Sequence, residues 1–339
     1  MKQYTSEEMA RLMAAFDPID LTLAMNDEEP LQTPLAGLKL FHPVACPKPE
    51  AAISRDVVSR REPLITPRGN RGTPPERPSA NVELFKILHI PVDDTVLPDD
   101  VVNLRGKGEG EQAVLKRIIS NYLRDMREAL DLKREKLYLQ AIRGKIEERG
   151  AVYADYETRF GKTARKMELA VSSAATDIPR TLDQIIAGYK GKSVGAGLIF
   201  LCSQTVFADI VNHKSVKELF ARRMDATPYT EALVSEFPLK GVTFMAYDPT
   251  PFSAASAIDP AEAQLADNEA LIFPRAPGRR FVEFFGPADV FGGEDATPAA
   301  PYYVQTIPKI DNTGVMLSAQ MNVLPVVADP SLVVKVAIK

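Results

Sequence analysis

Between Glu109 and Glu148 apolar residues recur with helical spacing over an unusual length. Val114, Leu115, Ile118, Ile119, Tyr122, Leu123, Met126, Leu130, Leu137, Tyr138, Ala141 and Ile142 fall mostly three, four or seven positions apart, the pattern of one apolar helix face. A continuous helix over this stretch would measure about 60 Å at about 1.5 Å per residue. Gly144 is placed to end or bend it early. The spacing is not a strict heptad, so a coiled coil is the weaker reading. Leu123, Met126, Leu130 and Leu137 are expected on the buried side. Arg124/Glu128 and Arg127/Asp131 are expected to pair at i,i+4 on the wet side. Helices this long are rare in globular chains. In a chain of 339 residues it reads as a spine that organises an elongated, flattened subunit.

What precedes the spine has no comparable face of its own. Residues 5–16 carry a short amphipathic helix signal, with Thr5 or Ser6 as cap and Asp17-Pro18 as its end. Residues 17–50 are broken by Pro30, Pro34, Pro43, Pro47 and Pro49 and read as an extended arm. Its Leu31, Leu35, Leu38, Leu40, Phe41 and Val44 must borrow a surface from the parent domain or from a neighbour. Residues 51–90 read as a long hairpin. Ile53, Val57 and Val58 line one strand-like limb; Val82, Leu84, Ile87 and Ile90 line the other. Between them lies a proline-rich tip with Arg60, Arg61, Arg68, Arg71 and Arg77 against Glu62 and Glu76. A long loop in a compact domain is more often functional than idle. These basic residues call for an acidic partner, for which another subunit or the acids at 93–100 are the candidates.

After the spine, AVYADYETRF and ARKMELAV read as two strands around Gly161-Lys162. A helix capped by Asp177 or Thr181 follows. The pattern then turns α/β: a strand at 195–202, a helix capped by Ser203, a second helical piece from His213, and strands at 242–247, 270–273 and 281–285. Three strands, YYVQTI, VMLSAQMNVL and LVVKVAI, close the chain. The final strands are expected to return to the spine, which makes one domain discontinuous in sequence.

Composition removes several function classes. The formal net charge is −4, whereas a dedicated binder of free nucleic acid is usually basic. Two cysteines, Cys46 and Cys202, exclude a disulfide-rich scaffold and point to a reducing compartment. The N-terminus lacks the apolar stretch of a signal peptide, and no run approaches the roughly 20 apolar residues of a membrane span.

The catalytic motifs are decoys. GKSVG around Ser193 has the lipase-type pattern, but its strand leaves the serine when it should enter. GKS at 191–193 and GKT at 161–163 lack the upstream glycine of a phosphate loop, with Ile186 and Tyr156 in its place. Gly195-x-Gly197 is a fragment of a dinucleotide fingerprint. Asp93, Asp94, Asp99 and Asp100 are expected to be turn residues more than cation ligands, and His42, His89 and His213 ordinary packing or surface residues. No catalytic residue, cofactor site or metal site is expected.

FDPIDLTLAMNDEEPLQTPLAGLKLFHPV, TPRGNRGTPPERP with FKILHIPVDDTVLPDDVVNLRG, GLIFLCSQTVFADIVNHKSVKELFARRMD, VTFMAYDPTPF and MLSAQMNVLPVVADPSLVVKVAIK resemble, in this order, the lambda-type major head proteins of tailed bacteriophages (the capsid protein E family). The resemblance covers nearly the whole chain. It implies an α+β, HK97-like capsid fold with an N-terminal arm (1–50) reaching under a neighbour and an extended β-hairpin loop (51–80). A peripheral domain with the spine helix (81–175 and 315–339) and an α/β axial domain (176–314) would follow. It further implies hexamers and pentamers tiling an icosahedral procapsid that matures around double-stranded DNA, without sequence-specific contact and without a membrane. Scaffold, maturation protease, portal and decoration proteins are the implied partners, and the virion, assembled in the bacterial cytoplasm, the implied location. An α/β enzyme using Ser193 or the acids at 93–100, and a tail-tube or sheath subunit, are the rival readings.

Overall fold

The computed structural model describes residues 17–54, 65, 67–68, 82–97, 99–100, 111–173, 176–189, 197–221, 236–247, 265–290, 300–309 and 314–339. The spine is a single helix, Glu111–Arg143, of 33 residues. Gly144 ends it with φ +94°, a conformation glycine adopts without steric cost. Its N–H bonds the Ala141 carbonyl at 3.0 Å, and its own carbonyl accepts the Tyr156 N–H at 2.9 Å. Leu123, Met126, Leu130 and Leu137 are buried together with Ile118, Tyr138 and Ile142. Leu130 has no exposed surface, so Leu130→Ala should cost about 2–5 kcal/mol in urea unfolding. The same truncation at exposed Arg124 should change stability by no more than about 0.5 kcal/mol.

In chain order the strands are β1 (His42–Ala45), β2 (Glu50–Ser54), β3 (Val82–Lys86), β4 (Leu88–Val96), β5 (Lys145–Glu148), β6 (Ala151–Asp155), β7 (Arg165–Leu169) and β8 (Leu198–Cys202). They continue with β9 (Glu236–Leu239), β10 (Val242–Ala246), β11 (Glu269–Pro274), β12 (Phe281–Phe285), β13 (Tyr303–Pro308), β14 (Val315–Val327) and β15 (Val334–Ile338). Five of them form the sheet on which the spine lies. Its axis is β14, whose length lets it pair antiparallel with β4, β12 and β13, while β1 joins β12 in parallel.

Six others form the second sheet, in the order β7-β15-β11-β8-β10-β9. Its central strands are buried on both faces, and the period of two sorts their side chains. Leu198, Phe200, Cys202, Phe244 and Ile272 meet Leu182, Ile185, Val206, Phe207 and Ile210 from the helices Ile178–Ala187 and Gln204–Asn212. Ile199, Leu201, Met245, Leu271 and Phe273 point the other way, into the core that holds the spine. Arg143 at the spine's end bonds Glu269 of β11 at 2.9 Å.

Several expectations are corrected. Asp17-Pro18 begins a helix. Asp17 Oδ1 accepts the N–H groups of Ile19 and Asp20, and Pro18 fills the first turn of Pro18–Asp27; an Asp cap followed by Pro is a start signal. This arm helix buries Leu21 and Met25. Its Thr22 hydroxyl accepts the Val304 N–H at 3.0 Å, and its Asn26 amide donates to the Tyr302 carbonyl at 2.9 Å. The helix thus covers the edge of β13. From Asp17 to Ala45 the arm takes its buried face from its own chain.

The YETRF stretch is helical, not a strand. Asp155 caps Tyr156–Phe160 through the Thr158 N–H, and Gly161 closes it at φ 63°; the two caps outweigh a short alternating pattern. Asp93 and Asp94 are not turn residues: they lie in β4 opposite Ser318 and Leu317, where the long edge of β14 extends the strand past them. The sheets also cut across the segments drawn from sequence. β7 and β15 belong with β8 and β11, whereas β1, β12 and β13 belong with the spine's sheet. Strand pairing is non-local, and contiguity in sequence carries no information about it.

Candidate assembly site: a hairpin root and a buried charged seam

The described base of the hairpin is β2 paired antiparallel with β3, from Glu50↔Lys86 to Ser54↔Val82. One face is anchored. Ala51, Ile53 and Phe85 are buried, and the Phe85 ring lies 5.7 Å from Tyr156 and 5.5 Å from Phe160. Arg159 stands over the same ring and pairs with Glu83 at 3.4 Å. The other face is bare: Val82 is 50% and Leu84 55% exposed. At Ile87 the chain leaves the hairpin and enters β4, so the limb read as one strand is two. Of the loop residues, Ile65 is fully solvent-exposed and Arg68 is exposed. Arg60, Arg61, Arg71 and Arg77 lie outside the described residues, as does Ser193.

A second feature was not visible in the sequence. The arm is fastened to the spine by a row of charged side chains within the core. Arg127 and Asp131 pair at 3.6 Å with 8% of each side chain exposed. They are therefore not on the wet side of the helix: the arm covers them. Arg127 donates to the Met25 carbonyl, and Asp131 accepts from the Tyr302 hydroxyl and, at 3.1 Å, from the Leu31 N–H. One turn along, Glu135 accepts the Thr33 hydroxyl and the Leu35 N–H at 2.8 Å and the Ala36 N–H at 3.1 Å. Those N–H groups open the short helix Pro34–Gly37, whose own Thr33 gives no side-chain cap. Glu135 supplies the missing cap from 100 residues away. On the neighbouring strand Glu283 takes Arg134 in a two-pronged bond, 2.7 Å to Nε and 2.5 Å to Nη2.

Burial pushes the Glu135 carboxyl above its ordinary value, and the bonds from Leu35, Thr33 and Ala36 pull it only partly back. A raised carboxyl favours the protonated form in the folded state, so folding takes up a proton. The contribution of Glu135 to stability is accordingly greatest below its ordinary value of 4.5 and is lost as pH rises through its folded value. The stability of wild type minus that of Glu135→Gln should grow as pH is lowered from neutral into the ordinary carboxyl range. Urea unfolding across that window measures it, and a flat difference contradicts it.

Four of the remaining candidate side chains are each tied into the fold. Burial raises the Cys202 thiol to about 12, far from a reactive thiolate. His213 is held by Ser215 Oγ at 2.8 Å and the Ser173 carbonyl at 3.1 Å, and His89 by Asn322 at 2.8 Å. Asp100 accepts the Leu97 N–H and the Tyr122 hydroxyl. Among the described residues no three His, Cys, Asp or Glu side chains converge as metal ligands do.

Comparison with known proteins places this geometry. Among solved structures the chain is similar to one described as a prophage capsid protein of E. coli CFT073, at 15% identity and TM-score 0.59, with 95% of this chain and 99% of that one covered. It is also similar to a chain of Mycobacterium phage Che8, at 12% identity and TM-score 0.50, covering 91% and 93%. The α+β fold therefore resembles that of HK97-like capsid structures. By sequence it is 19% identical to the major capsid protein of Salmonella phage Felix O1 over 144 residues, 40% of this chain and 39% of that protein's length. The profile of "Phage major capsid protein E" matches residues 18–338, nearly the whole chain, and the chain belongs to that family.

Proposed function

We propose that this chain is the repeating subunit of an icosahedral head shell enclosing packaged double-stranded DNA, arranged as hexamers and pentamers. The observation that carries the reading is the family match over residues 18–338. The physical chemistry is compatible with it. A slightly acidic subunit, −4 overall, suits a wall that must not hold phosphates by counterion release. The hairpin root, anchored on one face with Val82 and Leu84 bare on the other, suits an element that reaches a neighbour. In this reading the hairpin is an intersubunit clamp and the spine a structural beam. The chain has no catalytic role, and scaffold, portal and decoration proteins are its partners in assembly within the bacterial cytoplasm. Electron microscopy of the expressed protein, with size exclusion, tests the proposal. Shells, rings or sheets are expected. A small discrete oligomer would overturn it, and tubes would favour a tail or sheath subunit.

A further inference from the structure

In the six-stranded sheet β7, β15, β8 and β10 run one way and β11 the other. Four strands therefore begin, and β11 ends, at the same end of the sheet. The segments that meet there are 161–167, 188–198, 238–244 and 272–282. They are far apart in sequence, yet together they hold nine Lys or Arg and no Asp or Glu. The whole chain carries −4. Residues 247–269, which join β10 to β11 at the opposite end, hold five acids and no Lys or Arg. The two ends of the sheet thus draw on segments of opposite charge.

Two acids reach the basic end from elsewhere. Asp329 stands 3.8 Å from Lys162, and Asp183 2.7 Å from Lys240. Arg275 and Arg279, in the turn between β11 and β12, are exposed and have no ion pair among the described residues. Arg165, at the start of β7, stacks over Tyr189 at 4.4 Å. Its Nε and Nη2 are enclosed and have no hydrogen-bond partner among the described residues. Arg134 spends the same edge of its guanidinium on Glu283. No acid offsets Arg165, so its charge adds to the potential at this end.

The ligand such an end fits is a polyanion. Neighbouring strands lie about 4.8 Å apart, so Arg165 on β7, the arginine turn after β11 and Lys240 before β10 form a row with a cation about every 10 Å. A protein partner needs apolar anchors, and among the described residues no large apolar side chain at this end is exposed. A row of cations without anchors matches a chain of phosphates.

We infer that this end of the second sheet is where the shell wall meets the phosphate backbone of the packaged double-stranded DNA. This rests on the head-shell reading. Phosphates are touched and no base is read. Each phosphate neutralised adds about −0.9 to the slope of log affinity against log salt. A few such contacts per subunit loosen at modest salt, so the wall touches DNA without fixing it.

The test measures binding of short labelled duplexes of two unrelated sequences to the full-length chain, by fluorescence anisotropy across a salt series. Both should bind equally, with a slope of about −3 for Lys240, Arg275 and Arg279 together. Arg275→Gln with Arg279→Gln should weaken binding about tenfold and flatten the slope by about 2, with unchanged circular dichroism. Arg275→Lys with Arg279→Lys should keep the slope. Lys116→Gln with Arg124→Gln, exposed on the spine, should change nothing. No binding, an unchanged slope in the first variant, or an equal loss from the spine variant overturns the inference. Two competitors identify the source of the anion. Inorganic phosphate at equal phosphate concentration should leave the duplex bound; displacement would mean that the surface holds single ions. A peptide of residues 247–269 that displaces the duplex more readily than unlabelled duplex does would assign the surface to a second copy of the chain. Either displacement overturns the inference. Microscopy of wild type reports separately whether shells form, so failure of the head-shell reading and failure of this contact are distinguishable.

Discussion

A chain lacking residues 64–77, its limbs rejoined by a short glycine-containing turn, should fold normally and fail to build closed shells. The root survives the deletion. Ala51, Ile53 and Phe85 are buried by the subunit itself, and Phe85 is held by Tyr156, Phe160 and Arg159. No described residue of residues 64–77 contributes to either hydrophobic core. What disappears is a segment whose described residues, Ile65, Pro67 and Arg68, are exposed and which carries three of the loop's five arginines, Arg68, Arg71 and Arg77. Each exposed ion pair contributes no more than about 1 kcal/mol, but the same small loss recurs at every interface of a shell. The variant should match wild type in circular dichroism and urea midpoint while closed particles fall to background. Arg68→Glu with Arg71→Glu should give a milder defect that shrinks with added salt, since screening shortens the reach of these charges. Normal shells from the deletion would end the clamp reading, and an unfolded subunit would place the loop in the core.

The spine could be read from sequence because its signal is local. A period of 3.6 repeated over nine turns survives any tertiary context, and Gly144 marks its end by a property of the residue alone. The caps at Ser203 and Asp177 were legible for the same reason: each acts within three residues of itself. The misreadings along the spine have the opposite property. Arg127 and Asp131 stand four apart whether water or Met25 lies over them, so their spacing says nothing about burial. Glu135 meets Leu35 across 100 residues, and nothing near Glu135 announces that a helix N-terminus will arrive there.

The sheets follow the same rule. That FVEFF is a strand is written in its own residues. That it pairs with β14 and β1 and puts Glu283 under the spine is not. A glutamate among four apolar residues looks like the solvent-facing member of an alternating strand, yet Glu283 is 2% exposed. The available signal was negative: no other polar residue in that strand shares its face, and a lone acid flanked by Val and Phe needs a cation if the strand is central. The spine offers five arginines, Arg117, Arg124, Arg127, Arg134 and Arg143, and only geometry selects Arg134.

That selection makes the Arg134–Glu283 pair the place where a single substitution should do most harm. The guanidinium lies 5.5 Å over Tyr138 and 5.3 Å over Phe285 and joins Glu283 through two parallel bonds. Burial works against its charge, but the bond to Glu283 outweighs it and holds the arginine firmly protonated. Arg134→Met would leave a carboxylate enclosed without its cation, and Glu283→Leu would strand the cation. Each should cost about 3–5 kcal/mol in urea unfolding. The double variant removes both charges and should recover most of that loss, because two apolar side chains of similar volume need no solvation. Two losses that simply add would show that the groups do not interact. The recovered double variant then separates stability from placement. The two-pronged bond fixes where β12 sits along the spine, and a pair of flexible apolar side chains does not. If that position matters to the shell, the double variant should keep most of the wild-type stability and still give fewer closed particles. Wild-type particle counts from it would mean that the apolar layer around Tyr138 and Phe281 alone sets the position and that the ion pair adds nothing to assembly.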